Sequence, residues 1–297
     1  MKIVVTGSLG NVSKPLSEKL IDKGHEVIIV SSTPERQSAI EALGAEAAIG
    51  SVDDVAFLTE TFRGADVVYL MEPPIDFFDH KADLDTHWTN VAKSYKIAVQ
   101  QVGATKVIHL SSVGAHTDKG NTLFAIHYKE EQILRELPDS VSIKHMRPVG
   151  FYTNAARFFY SIKEQGAILA NYDGNSIHPW VSPLDIADAI VEEIELPFQG
   201  RTFRYIASEE LSGNQIAEIL GEALGKPGVK WRQISDEDLV NGMVSTGMSP
   251  VVAKGFAEMQ SFQGSGRLYE DYYRHKPVLG KIKFKDFAKE FAKVYHL

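Results

Sequence analysis

Seven consecutive residues near the amino terminus, Gly7-Ser8-Leu9-Gly10-Asn11-Val12-Ser13, have the composition and spacing of a phosphate cradle. The oxygens of a diphosphate must come close to the main chain, and glycine has no Cβ to obstruct them. The helix start that follows then offers free N–H groups and a partial positive charge. The stretch comes directly after a short β-branched run at residues 2–6, and this strand–turn–helix setting separates a dinucleotide turn from a plain tight turn. Gly7, Ser8, Leu9, Gly10, Asn11 and Val12 are accordingly the first candidate cofactor-binding residues. The third position of the motif is Ser13 rather than glycine, which predicts slightly looser packing of helix on strand at that point.

The end of the second strand chooses between the two nicotinamide dinucleotides. An acidic residue there would bind the adenosine ribose hydroxyls and repel a 2′-phosphate. This chain has Ser31, Ser32 and Thr33, with Arg36 one helical turn further on. Neutral hydroxyls beside a guanidinium favour NADP(H); NAD(H) is the alternative, because Arg36 equally fits an ordinary surface position. Other chemistries lack their signatures. With no cysteine in the chain there are no disulfides, thiolate ligands or cysteine nucleophiles. The ten histidines are scattered without an H-x-x-x-H pair, so no metal site is expected. Neither a Gly-Lys-Ser/Thr phosphate loop nor a Gly-x-Ser-x-Gly nucleophile elbow is present. Asp83 and Asp85, beside His80 and His87, fit a solvated helix entry better than a metal site.

Positioning such a cradle requires alternating strands and helices, and the first half of the chain supplies them. Strands are predicted at residues 2–6, 25–30, 45–49, 66–70, 106–110 and 142–146. Helices lie between them, starting at Val12 and ending at Gly24, then reaching Leu43, then capped by Asp53 or Asp54 and closed by Gly64. Leu84, Trp88, Val91, Tyr95, Ala98 and Val102 fall on one face of a long helix, and another helix is expected at residues 122–137. Six strands in this rhythm predict a doubly wound (Rossmann), mainly parallel α/β sheet covered on both faces. After Arg147-Pro148 the pattern changes to clustered aromatics and shorter elements, with helices at 183–193 and 212–224. The expected division is a dinucleotide-binding domain at 1–150 and a smaller α/β substrate region at 151–297, the chain crossing back near 180–205. Gly264-Ser265-Gly266 predicts a mobile loop or linker. Phe284, Phe287, Phe291 and Val294 predict an amphipathic closing helix with a solvated lysine face.

Composition narrows the function classes. The 297 residues are 44% hydrophobic and 24% charged, enough for a sizeable core without staples. With 31 basic against 39 acidic residues the net charge is −8, which argues against a nucleic-acid-coating surface. No apolar run is long enough to span a bilayer, and residues 1–7 do not form a signal-peptide core, so a cytoplasmic protein without membrane partners is expected. A small-molecule substrate is the implied partner, and the oligomeric state is left open.

The assembled motifs resemble the NmrA-like branch of the atypical short-chain dehydrogenase/reductases. The likeness covers nearly the whole chain: TGSLGNV after the first strand, VIHLSSVGA, RPVGFYTN at 147–154, HPWVSPLDIADAI at 178–190 and the closing VLGKIKFKDFAKEF. That branch includes NAD(P)H:quinone reductases, isoflavone-reductase-type enzymes and non-catalytic redox sensors. The resemblance implies that Met71, Glu72 and Pro73, the residues Ser51 and Val52, and Ser111 and Pro148 lie beside the dinucleotide. It makes Lys129 the lysine that would hold the nicotinamide ribose. The usual tyrosine four residues earlier is replaced by Ala125, and Tyr128, about 100° away on the helix, is a poor substitute. His127, Tyr152 and His116 are the remaining candidate proton donors. Phe151, Tyr152, Asn154 and Trp180 are expected to shape an apolar substrate cleft. The leading expectation is a reductase of a quinone-like or conjugated carbonyl substrate. A dinucleotide-sensing regulator without turnover is the alternative. An epimerase or dehydratase is disfavoured by Ala125, and a methyltransferase by the neutral Ser31.

Overall fold

The computed structural model describes residues 1–81, 83–119 and 122–295. The amino-terminal half alternates β1 (Lys2–Val5), α1 (Ser13–Asp22), β2 (Glu26–Ser31), α2 (Gln37–Ala42), β3 (Glu46–Ile49) and α3 (Val55–Phe62). It continues with β4 (Val67–Leu70), α4 (Leu84–Val102), β5 (Lys106–Leu110), α5 (Thr122–Arg135) and β6 (Ser142–Pro148). Local chemistry sets these boundaries. Pro15 falls in the first turn of α1, where its missing N–H costs nothing. Of the two candidate caps for α3, Asp54 is the one used, its carboxylate accepting from the N–H groups of Ala56 and Phe57 at 2.9 and 3.1 Å. Asp83 caps α4 through the Thr86 N–H and hydroxyl, and Gly103 ends that helix in a left-handed conformation.

The large sheet has seven strands in the order β10-β6-β5-β4-β1-β2-β3, and every neighbouring pair is parallel. One strand more than the sequence pattern suggested comes from β10 (Arg201–Ile206), which returns to pair with β6. Its half-exposed sequence RTFRYI is that of an edge strand, without the continuous apolar run that marks the central ones. One face of the sheet is covered by α1 and α7 (Pro183–Glu195), which pack on each other. The other is covered by α3, α4 and α5. On α4, Leu84, Val91, Tyr95 and Ala98 are buried as the spacing implied, while Trp88 is half-buried and faces a cleft.

Part of the remaining chain builds a second core around Tyr152, Trp180, Ile216, Trp231 and Phe284, while Phe262, Leu268, Tyr269 and Tyr272 pack into the first. β7 (Gly150–Phe151), α6 (Phe159–Gln165), β8 (Ala167–Ala170) and β9 (Ile177–Val181) precede α7. β11 (Glu209–Ser212), α8 (Gly213–Ala223), β12 (Lys230–Gln233), α9 (Asp236–Ser245), α10 (Pro250–Gly264), α11 (Glu270–Arg274) and α12 (Phe284–Tyr295) follow β10. The small sheets are β11-β9-β7 and β12-β8. In α12, Phe284, Ala288 and Ala292 are buried, with Phe287 and Phe291 packed against the same core; the Val294 side chain lies outside the described residues. The Gly264-Ser265-Gly266 stretch is a packed turn rather than a linker: Gly264 abuts Tyr172, and Gly266 takes the left-handed conformation before Leu268 and Tyr269 are buried. The Asp185 carboxylate ties the tail down, accepting from Ser208 Oγ at 2.5 Å and from the N–H groups of Lys281 and Ile282 at 3.1 Å. No helix among the described residues is long and apolar enough to cross a membrane.

Candidate functional site

The strand order reverses between β1 and β4, and a crevice opens at the carboxyl ends of these strands. Gly7 begins its turn with φ +89°, and a Cβ there would stand 2.5 Å from Ser13 Oγ and 2.7 Å from Met71 Sδ. A Cβ on Gly10 would meet the Gly7 carbonyl oxygen at 3.0 Å. Ser8, with φ +53°, is the one non-glycine with positive φ among the described residues, a strained conformation of the kind that tight ligand-binding turns hold. Packing at Ser13 is not loose. Its side chain is 1% exposed, and its hydroxyl donates to the Thr6 carbonyl at 2.9 Å, pinning α1 to β1. In the first turn of α1 the Lys14 N–H already donates to the Gly10 carbonyl at 3.0 Å and Pro15 has no N–H, so an anion would be met by the main chain just ahead of them, at residues 11–13.

From this turn a cleft of about 940 Å³ runs between the large sheet and the second core. At one end the Arg36 guanidinium donates to Ser8 Oγ at 3.1 Å, and Ser8 Oγ donates to Ser31 Oγ at 2.9 Å. Arg36 is thus drawn onto the glycine turn instead of pointing freely into solvent. Ser32, Thr33, Ser51, Val52, Met71, Glu72 and Pro73 continue the same wall. The other end is lined by Trp88, His127, Phe151, Asn154, Arg157, Trp180, Met259, Gln263 and Tyr269. Trp180 is both wall and anchor, 3% exposed and packed on Phe284. A bare turn, a hydroxyl-and-guanidinium end and an aromatic end fit the diphosphate, the adenosine ribose and a flat ring in that sequence.

Several expected residues lie elsewhere. Lys129 is outside the cleft, its ammonium 2.6 Å from Asp85 Oδ1 on the exposed rim between α4 and α5. The reason is helical phase. His127 lines the cleft, and two residues later the helix has turned about 200°. The residues sharing the face of His127 are Glu130 and Glu131, three and four positions on. Tyr152 is 0% exposed within the second core, its hydroxyl donating to the Ile282 carbonyl at 3.0 Å. Burial raises its pKa far above the ordinary phenol value, and Glu209 adds to the effect, so neither position nor acidity suits it to proton transfer. Ser111 is also buried, donating to Glu131 Oε1 at 2.6 Å, and Ser112 takes the place at the cleft. Pro148 ends β6 one residue before the lining residue Val149. Leu9 packs on the core behind the turn, and His116 is held against the Val113 carbonyl at 3.2 Å, away from the cleft.

Behind the aromatic end lies a group of which the sequence singled out only His127 and Glu72. His127 Nδ1 is 2.8 Å from Glu130 Oε2, and His109 Nε2 is 3.3 Å from Glu72 Oε2. On its other side His109 Nδ1 is 3.0 Å from His145 Nδ1. One polar atom each of Glu72, His109 and Glu130 falls within 4.8 Å of the others. The signals were present but local: a histidine within the apolar strand KVIHL, and acids three and four residues beyond His127. Arg147 neutralises Glu131 through hydrogen bonds of 2.9 and 2.7 Å. Burial opposes the charge on Glu131, but these bonds and the neighbouring positive groups outweigh it and hold its carboxyl below the usual range.

Comparison with known proteins agrees with this architecture. The profile of the NmrA-like family matches residues 1–292. No curated protein sequence matches the chain. Among solved structures, an NADPH-dependent quinone oxidoreductase from Escherichia coli complexed with NADPH superposes with a TM-score of 0.81. It has 18% sequence identity, covering 97% of this chain and 99% of that one. A triphenylmethane reductase from Citrobacter sp. complexed with NADP(H) gives a TM-score of 0.77 at 19% identity, covering 98% and 99%. A nucleoside-diphosphate-sugar epimerase from Staphylococcus aureus gives 0.80 at 14% identity, covering 97% and 100%. At these identities the likeness is one of fold.

Proposed function

Since the chain belongs to the NmrA-like family, we propose that it is an NAD(P)H-dependent reductase of a quinone-like or conjugated carbonyl substrate. The observation that carries this reading is the continuity of one cleft from the side-chain-free turn at Gly7 and Gly10 to the aromatic wall of Trp88, Phe151 and Trp180. The main chain from Gly7 to Ser13 grips the diphosphate. Arg36, with the Ser8 and Ser31 hydroxyls, recognises a 2′-phosphate and makes NADP(H) the favoured cofactor over NAD(H). When bound, the dihydronicotinamide supplies a hydride. Phe151 and Trp180 hold a flat acceptor against it, with Asn154 offering an amide to an acceptor oxygen. The fold neighbours named as quinone and dye reductases support this choice of acceptor.

A second reading is a dinucleotide sensor without turnover. It is favoured by α5, which places no tyrosine hydroxyl in the cleft among the described residues. Mixing the protein with NADPH or NADH and a panel of quinones and triphenylmethane dyes separates the two. Steady loss of reduced-cofactor absorbance is expected, and tight binding with no oxidation across the panel would establish the sensor instead. Replacing Arg36 with Ala should weaken NADPH about tenfold while leaving NADH nearly unchanged. Equal loss for both cofactors in a calorimetric titration would remove Arg36 from phosphate recognition.

A further inference from the structure

Two carboxylates are buried side by side at the cleft wall, Glu72 lining it and Glu130 behind it. The Glu130 side chain is 0% exposed and that of Glu72 is 4% exposed. Neither Glu72 Oε1 nor Glu130 Oε1 has a hydrogen-bond partner among the described residues. Burying such groups unpaired is costly, and two adjacent carboxylates cannot both remain charged cheaply, so the group must retain protons. Two imidazoles complete it. His109 is fully buried against Glu72, and His127 bonds to Glu130 through Nδ1 while its side chain, 26% exposed, lines the cleft. Trp88 stacks over the His127 ring with centroids 6.1 Å apart, covering one face of it.

We propose that His127 is the proton donor to the reduced substrate, and that Glu130, Glu72 and His109 form a buried proton store that recharges it. This rests on the reductase reading. Reduction of a conjugated carbonyl consumes one hydride from the bound dihydronicotinamide, which is oxidised as its electron pair passes to the acceptor. The accompanying proton leaves His127 Nε2, breaking an N–H bond, and forms the O–H bond of the product. As it leaves, the proton shared by Glu130 and Nδ1 settles on Nδ1, the Glu72–His109 pair supplies a proton to the Glu130 carboxylate so exposed, and Nε2 takes its next proton from the cleft solvent.

The surroundings set the direction of proton affinity. Burial alone would push His127 down, but the charge and hydrogen bond of Glu130 outweigh it and raise its pKa. His109 is raised in the same way, burial opposing and Glu72 prevailing. Glu130 is raised by burial and by Glu72, against the pull of His127. From β6, His145 is lowered to about 3 by burial and stays neutral. Arg147 is matched by Glu131. From α4, Asp85 is occupied by Lys129, and His87 lies on the cleft wall.

The test begins on the free protein. In histidine-labelled protein followed by NMR, His127 should keep its proton to higher pH than an ordinary histidine. Glu130→Gln should weaken its proton affinity about tenfold. In the reductase assay Glu130→Gln should move the alkaline limb of the kcat profile to lower pH by the same amount, with KM and NADPH affinity unchanged. His127→Asn should remove that limb altogether. Glu72→Gln, which alters the cluster from the cleft side, provides the same titration should Glu130→Gln fold poorly. A His127 titration that is ordinary and unmoved by either glutamine variant overturns the store, whether or not an acceptor is reduced. A titration that changes on adding EDTA would reassign the cluster to a bound cation and also overturn it. A shifted titration without turnover across the acceptor panel keeps the store and overturns the reductase reading instead.

Discussion

Gly10 is legible in the sequence because the requirement there is simple: a backbone that passes close to a neighbouring carbonyl, 3.0 Å from where a Cβ would stand. Gly10→Asp would place a carboxylate on the diphosphate path, and dinucleotide affinity is expected to fall at least about a hundredfold with the fold retained. Unchanged binding in that variant would remove the cradle assignment. Lys129 shows the opposite case. Its residue type matched an expected role, but residue type does not report the direction of a side chain, and an ion pair with Asp85 holds it at the rim. His178 opens one of the motifs that carry the family resemblance, but the motif does not disclose its surroundings. Both its ring nitrogens lack partners, and it is wedged between Tyr172 and Tyr269. Burial lowers its pKa to about 4. Between pH 6.5 and 4 the unfolded chain therefore takes up a proton that the folded chain refuses, and stability falls with falling pH by up to about 1.4 kcal/mol per pH unit. His178→Leu should narrow the gap between melting temperatures at pH 8 and pH 5, and an unchanged gap would show that His178 does not carry that dependence.

Elements were easier to read than sites. Continuous apolar runs such as KIVV and VVYL identify central parallel strands, because both faces of the sheet are covered. β10 escaped for the same reason: an edge strand need not be apolar throughout. Within α5 the sequence gives helix but not phase, since the buried face carries Glu130 and Glu131 and an apolar stripe does not define it. Caps are a smaller and more local matter. Asp54→Ala should cost about 1 kcal/mol through the lost bonds to Ala56 and Phe57, lowering the melting temperature by about 2 °C. Cofactor affinity should not move, and a change there would mean that α3 reaches the site more directly than through its packing on α4.

At the scale of the molecule, one buried carboxylate joins three distant stretches of chain. Asp185 at the start of α7 accepts from Ser208, Lys281 and Ile282. Asp185→Ala removes all of these bonds from a site that is 6% exposed. A loss of about 3 kcal/mol is expected, with protease cleavage appearing first around residues 276–283. Asp185→Asn, which keeps one acceptor, should lose less. Melting curves and mapped fragments distinguish these outcomes from a latch with no energetic weight. No sequence pattern disclosed this joint, because its partners are separated by up to 97 positions.

The return of the chain through α7 and β10 bears on how such proteins can be recombined. A crossover placed once, after β6, would leave the large sheet without its seventh strand and the other half with an orphaned one. Chimaeras exchanging the second core therefore need paired junctions, one on each side of the 183–206 excursion.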